Sequence, residues 1–323
     1  MYDLIFMCDA NNSIGFGHVS RCIYLAKYSL KINKKIKIGF IGSYIKEVKY
    51  RIKNSLLDID FIKNKGSIKS KCLVIDALGD DDDPNIFPLN KYNLARTIAN
   101  NIIYLSSGTQ IDKLPTNIIC IGYHPSGIKS KPPNIYWDLK YAPTLEVDYK
   151  NLKKRNKNNV LLALGGIRDE SLVNTIMEVV NQIDLFKQID ILVSPVNKKL
   201  NRINVFKTSK CINLHYNLKT ISPLLFESGM VIATLGNLSY EALAHGAPLC
   251  LIATKKFQSE YGDLLKDKGL AYNVGLVNEK NQNKLLEFIK KTLIDSDQLS
   301  KQAIKLIDGK GIKRITNIIS NYY

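Results

Sequence analysis

The chain has no apolar run reaching the roughly 18 residues a membrane-spanning helix needs. Its opening, MYDLIFMCDANNS, has no basic start and only about six consecutive apolar residues before acids follow, so it does not read as a secretory leader. A cytoplasmic protein is the expectation. The six cysteines, Cys8, Cys22, Cys72, Cys120, Cys211 and Cys250, form no C-x-x-C pair. Most sit inside apolar runs such as KCLVID and PLCLIA, where they read as small buried hydrophobes rather than disulfides or zinc ligands. There is no internal repeat of 20–50 residues and no low-complexity tract. Acids are scarce: 29 Asp and Glu face 46 Lys and Arg, giving a formal net charge of +17. Such a balance suits an anionic partner. The lysines are scattered, however, and no nucleic-acid-binding motif is visible, so nucleic acid is not expected. Weak peripheral attraction to an anionic membrane stays open. Oligomeric state is not legible.

What is present is a chain of 323 residues, 45% hydrophobic, long enough for two domains with cores of their own. Short apolar runs alternate with helical patterns. Residues 2–8, 36–41, 72–76, 102–105 and 118–122 read as buried strands. Residues 18–31 and 45–57 have helical spacing, with Val19, Cys22, Ile23, Ala26 and Leu30 on one face. The polar, basic stretch 147–159 fits a linker. A second series of strands follows at 160–164, 190–194, 211–214, 230–234 and 248–252. The fold class is therefore α/β, with two doubly wound Rossmann-like domains facing a cleft. The expected division is residues 1–148 and 149–323. The last helical stretch, about 298–322, is a candidate to return to the first domain.

Ligands of open α/β sheets bind outside the carboxyl ends of the strands, so each glycine-bearing strand-to-helix turn is a candidate site. The first is SIGFGHVSRC, residues 13–22. Gly15 and Gly17 permit a sharp turn and close ligand approach. His18 falls in the first helical turn, where it suits a general base, and Arg21 one turn on could meet a phosphate or a carboxylate. The spacing is G-x-G-H; serine stands where a dinucleotide fingerprint has its third glycine, and no G-K-[ST] follows, which excludes a P-loop. The bland alternative for His18 is a helix-start residue satisfied by backbone. The second turn is LALGGIRDE, with Gly165, Gly166 and Arg168. The third is IATLGNLSYEALAHGAP: Gly236, Asn237 and Ser239 at a helix start suit a phosphate, and Glu241 suits ribose hydroxyls or simply the helix dipole. His245 in the last turn reads as structural. Asp76, ending strand 72–76, could orient a base, bind substrate or cap a helix. The run Asp80–Asp83 reads as solvated rather than metal-binding. His124 and His215 lie at strand ends without an assigned role. Neither a metal nor a cofactor is expected.

At these motifs the sequence resembles the UDP-sugar hydrolases of pseudaminic-acid synthesis (PseG) and the related spore-coat polysaccharide proteins (SpsG). The matching segments run in order from DANNSIGFGHVSRCIYLAKY through LALGGIRDESL, IATLGNLSYEALAHGAPLCLI and QSEYGDLLKDKGLAYNVG to IDGKGIKRI. The fold implied is the two-domain glycosyltransferase-B type, shared with MurG-like enzymes. The resemblance implies that His18 activates water, with Gly15, Gly17 and Arg21 in the loop around it; Asp76 and Tyr141 are candidates for the substrate side. It implies that Gly165, Gly166, Ser239, Glu241 and Gln258 hold the nucleotide and its phosphates; Gly236 and Asn237 join them from the reading of the helix start. The implied reaction is release of UDP from a UDP-linked diacetamido-trideoxy sugar by attack of water at the anomeric carbon. Three departures stand out. Ser106-Ser107 replaces an acidic pair, Arg168 replaces an acid, and YAPTLEVDY lacks an arginine usual at that point. Transfer to a glycan acceptor, or nucleotide-sugar binding without turnover, are the alternative readings.

Overall fold

A computed structural model describes the chain except for residues 11–15, 57–58, 63–67, 80–85, 107–113, 125–131, 150–154, 166–169, 194–207, 217 and 219. The chain forms two compact units. The first comprises Met1–Glu146 and Lys310–Tyr323, the second Val147–Gly309.

The first unit is built on a seven-stranded sheet: β1 (Tyr2–Cys8), β2 (Ile38–Ile41), β3 (Asp60–Phe61), β4 (Ser70–Asp76), β5 (Ala99–Ser106), β6 (Ile119–Gly122) and β7 (Ile135–Trp137). The order is β3-β2-β1-β4-β5-β6-β7 and every pairing is parallel. The strand order reverses between β1 and β4, where connections leave for opposite faces. Alternation along the strands makes two cores. Leu4, Phe6 and Cys8 with Cys72 and Val74 face helices α1 (Gly17–Ile32), α2 (Lys46–Ser55) and the chain's last helix. Ile5, Met7, Leu73 and Ile75 face α3 (Leu89–Ile98).

The second unit repeats the plan with six strands: β8 (Asn156–Ala163), β9 (Gln188–Val193), β10 (Cys211–Tyr216), β11 (Ser228–Thr234), β12 (Leu249–Ala253) and β13 (Tyr272–Leu276). Their order is β10-β9-β8-β11-β12-β13, again parallel, with the reversal between β8 and β11. Its helices are α4 (Glu170–Asn181), α5 (Ser222–Glu227), α6 (Asn237–Ala244), α7 (Lys256–Asp267), α8 (Gln282–Ile294) and α9 (Ser296–Leu306). One packed core lies among α4, α8 and the even-numbered residues Val160, Leu162, Met230 and Ile232.

Three expectations need correction. The polar stretch 147–159 is not all linker, because Asn156–Asn159 begin β8 and Asn159 is buried. The C-terminal stretch is not continuous: α9 ends at Leu306 and α10 (Gly311–Ser320) starts afresh after Gly309, which has φ 72°. Cys211 is exposed, on the edge strand β10, while the other five cysteines are buried as expected.

Helix α10 belongs to the first unit, burying Ile312, Ile315 and Ile319 in the α1-side core. Its entry needs glycine. A Cβ on Gly311 would stand 1.6 Å from the carbonyl oxygen of Ala142, so the two backbones meet with no room for a side chain. Gly311→Ala should cost about 2 kcal/mol in urea denaturation, the cost of forced overpacking; a variant as stable as the parent would show that the contact relaxes freely.

Candidate functional site

Buried positions on α1 fall at 18, 19, 21, 22, 23, 25, 26 and 29, one broad face at helical spacing, with 18, 21, 22, 25, 26 and 29 as a stripe along its middle and one edge. The lower part of the stripe is largely apolar. Its top, nearest the start of the helix, carries His18, Arg21 and Cys22. The same face of β4 runs Cys72, Val74, Asp76, so the alternation of a strand delivers a carboxylate beneath the first turns of α1. These groups gather at the carboxyl ends of β1 and β4, the reversal point of the first sheet.

Asp76 is fully buried. Its Oδ1 lies 2.6 Å from Nδ1 of His18, and its Oδ2 accepts Nε–H of Arg21 at 2.8 Å. Arg21 Nη2 also donates to Oδ1, and Nη1 donates to the Tyr123 hydroxyl at 3.0 Å. Burial alone raises a carboxylic acid's pKa, but Arg21 and then His18 outweigh it and hold Asp76 down at about 2. Burial works against the Arg21 charge, and Asp76 reverses this, so its pKa lies above its usual value. An ionised carboxylate only accepts. His18 therefore carries its proton on Nδ1, and Nε2 is left as a lone-pair acceptor. The anion that Arg21 meets is the carboxylate of Asp76.

Other predicted residues of this unit are placed as follows. Gly17 is the first residue of α1, and Gly15 lies outside the described residues. Tyr141 ends a 3-10 turn at Leu139–Tyr141, its ring edge-on to Tyr136 at 6.2 Å. Asp80–Asp83 and Ser107 lie outside the described residues, while Ser106 is buried at the end of β5. Among the described residues no group of three or more His, Cys, Asp and Glu could hold a metal ion. Reading by sequence alone passed over Tyr123 and left His124 unassigned. Both directly follow the apolar run of β6, at the same carboxyl edge. Asp9, just past β1, accepts Ser43 N–H at 2.7 Å and pairs with Lys91 at 3.0 Å, which ties the loop after β2 and α3 to that edge.

In the second unit the loops after β8 and β11 flank the corresponding reversal point. Gly165 has φ 62°, a left-handed turn that favours glycine, and its Cβ position is 3.4 Å from Thr234 Oγ1 at the end of β11. Gly236 is exposed; among the described residues a Cβ there would meet nothing within 4 Å, and its φ of 172° is open to any residue. Neither the packing of the described residues nor the backbone geometry asks for glycine at that point. Ser239 is fully buried; its Oγ donates to Gly236 O at 2.7 Å and accepts Gly236 N–H at 3.1 Å, closing the turn that starts α6. Asn237 begins α6, and Glu241 is buried one turn later. Gln258 Oε1 accepts Thr254 N–H and the Thr254 hydroxyl, both at 2.9 Å, and its Nε2 donates to Leu235 O at 3.3 Å. Gln258 thus joins the loop after β11 to the loop after β12. Gly166 and Arg168 lie outside the described residues.

The remaining histidines have local partners. His245 Nδ1 donates to Glu241 O at 2.7 Å, Nε2 meets Ser222 Oγ at 2.5 Å, and burial lowers its pKa. His215 Nε2 donates to Asp190 at 2.8 Å, beside Asn159, Gln188 and Asn213, which donate to the same carboxylate. Burial raises the Asp190 pKa, and these four donors more than reverse it.

No family model matches the chain. It is 25% identical over 281 residues to a UDP-2,4-diacetamido-2,4,6-trideoxy-beta-L-altropyranose hydrolase of Campylobacter jejuni, covering 82% of this chain and 97% of that protein. It is 24% identical over 291 residues to an uncharacterized protein of Methanocaldococcus jannaschii, covering 81% of this chain and 58% of the relative. Against the spore coat polysaccharide biosynthesis protein SpsG of Bacillus subtilis it is 24% identical over 183 residues, covering 53% of this chain and 52% of SpsG. The chain thus spans little more than half the length of two of these relatives. Among solved structures it is similar to the MurG of Acinetobacter baumannii (TM-score 0.65, 12% identity, 99% of both chains). It is also similar to the calicheamicin glycosyltransferase CalG4 (TM-score 0.68, 11% identity, 99% of this chain and 98% of that one). The fold is of the glycosyltransferase-B type, and the sequence is similar to that of PseG and SpsG.

The ion pair gives a pH prediction. The Asp76 pKa is depressed in the folded state, from 3.8 to about 2, so its contribution is present above about pH 4 and is lost as pH falls from there toward 2. The size is about 2 kcal/mol. Asp76→Asn, which strands a buried guanidinium, should lower stability at pH 6 by about 3 kcal/mol. Urea melts should show the gap to the parent narrowing toward pH 2.5. A gap independent of pH would refute the pairing energetics.

Proposed function

We propose that the protein is a nucleotide-sugar hydrolase of surface-glycan synthesis, releasing UDP from a UDP-linked diacetamido-trideoxy sugar. The observation that carries this reading is His18, held by Asp76 through Nδ1, with Nε2 as a proton acceptor at the reversal point of the first sheet. The similarity to the Campylobacter hydrolase supplies the substrate class.

In this reading, water attacks the anomeric carbon as its proton passes to His18 Nε2. The bond from that carbon to the β-phosphate oxygen breaks, and UDP departs with the electron pair. General-base assistance of this kind is worth about 10²–10⁴ in rate. The nucleotide lies on the loops after β8 and β11. Gly165, Gly166, Gly236 and Asn237 let the phosphates approach the backbone of these loops, beside the start of α6. Glu241 accepts from the ribose. Ser239 and Gln258, whose side chains are engaged within the loops, hold those loops in shape. Gly15, Gly17 and Tyr141 serve the sugar side. The open space at Gly236 among the described residues supports this arrangement, since a ligand explains a glycine that their packing does not require.

The second reading is sugar transfer, favoured by the structural likeness to MurG and CalG4. His18 would then take its proton from an acceptor hydroxyl. Incubating the purified protein with UDP-linked amino sugars and no acceptor separates the two. Hydrolysis predicts UDP and free sugar in equal amounts by chromatography; release only after a glycan acceptor is added would overturn it in favour of transfer. For the nucleotide seat, Gly236→Ala should melt with the parent but bind UDP about tenfold more weakly, a difference of about 1.4 kcal/mol in calorimetry. Unchanged UDP affinity would remove the loop after β11 from the assignment.

A further inference from the structure

Arg21 does more in this geometry than fill the space beneath α1. Its Nη2 lies 2.8 Å from His18 Nδ1, almost as close as the Asp76 oxygen at 2.6 Å. Nδ1–H donates to the carboxylate, so the guanidinium contact is a juxtaposition of charge rather than a hydrogen bond. A positive charge on the imidazole would thus face a cation and an anion at nearly equal range. We infer that Arg21 is a charge-balancing residue: it lets Asp76 orient His18 while cancelling the stabilisation a lone buried carboxylate would give to the imidazolium.

Among the described residues, the neighbouring groups leave that balance to these two charges. Cys22 Sγ stands 3.8 Å from Asp76 Oδ2 on the α1 side, and burial pushes its thiol well up, so it stays neutral. Cys8 of β1 adjoins Cys22 and is fully buried. From the end of β6, burial raises the Tyr123 phenol and lowers His124 to about 3, Arg21 adding to the latter, so both are uncharged at neutral pH. A lone carboxylate in a medium of low dielectric would bias an adjacent histidine strongly toward its cation. Paired with a guanidinium, it acts as a fixed acceptor with little net field.

Tyr123 is the second part of the device. Asp76 ends β4 and Tyr123 follows β6, two strands away, a lateral span of about 10 Å that Arg21 bridges. The far anchor is rigidly set. A Cβ on Gly122 would lie 2.3 Å from the Trp137 ring, and Trp137 Nε1 donates to His124 O at 2.7 Å. Held at both ends, the guanidinium keeps its fork on the carboxylate. Tyr123 therefore positions Arg21, and Arg21 positions and neutralises Asp76.

The inference rests on the reading of His18 as the base, yet it can be tested without turnover. The four histidines of the chain can be labelled with ¹⁵N and the His18 signals assigned by their loss in His18→Gln. Arg21→Gln keeps an amide donor for Asp76 but removes the charge. The pH at which His18 takes its second proton should rise by about one unit or more, a tenfold change in proton affinity. If Arg21→Gln does not fold, the double variant Arg21→Met with Asp76→Asn, which removes both charges, carries the test. It should titrate within about half a unit of the parent, because the charges it removes cancel. No rise in Arg21→Gln, or a fall of a full unit in the double variant, overturns the inference. An inactive protein with these titrations would refute the hydrolase reading and leave the charge balance standing.

Discussion

The buried ion pair of Asp76 and Arg21 is the constraint on which the polar edge of the first sheet depends. A carboxylate taken fully out of water is costly unless paired, and breaking such a pair is costlier than never having made it. Here the pair also does geometric work. Asp76 sits at the end of one strand and Arg21 in the second turn of the helix that follows another, so their fork fixes the angle at which α1 meets the sheet. His18, one turn earlier on the same stripe, is thereby turned with Nδ1 toward the carboxylate. The orientation of the histidine is a consequence of packing rather than an addition to it.

Both units place their functional loops by the same rule. Each sheet reverses order at its first strand, and at such a point the carboxyl edge of an open α/β sheet takes its ligand. The first unit fills its edge with a histidine, a carboxylate and a guanidinium. The second carries Gly165 and Gly236 in the turns after β8 and β11, with the Ser239 and Gln258 side chains bonded to the backbone of the turns after β11 and β12. In the proposed function, one duplicated architecture carries a proton acceptor in one unit and a nucleotide seat in the other.

Much of this was legible in the sequence, where side-chain period and local chemistry agree. The long buried strands are continuous apolar runs, and G-x-G-H opening a helix marks a strand-to-helix turn. What escaped depends on distant partners. Strands β3 and β7 are too short to show a period, and β13 is broken by Asn273 and Gly275. Asn273 is buried there because Gly262 of α7 leaves room for its amide, a contact no local pattern announces. The start of β8 is polar because Asn159 turns to Asp190 of the next strand. Tyr123 looked like any residue after a strand. Its meaning comes from Arg21, 102 residues earlier, reaching across β5.

The proposed function separates two roles, a proton moved by His18 and a nucleotide held by the second unit. The most direct measurement is His18→Gln assayed side by side for turnover of a UDP-linked amino sugar and for UDP affinity. The account predicts turnover lower by at least about a hundredfold, the scale of a lost general base, with the UDP dissociation constant within about twofold of the parent. Turnover close to the parent's, or UDP affinity falling in step with turnover, would contradict it.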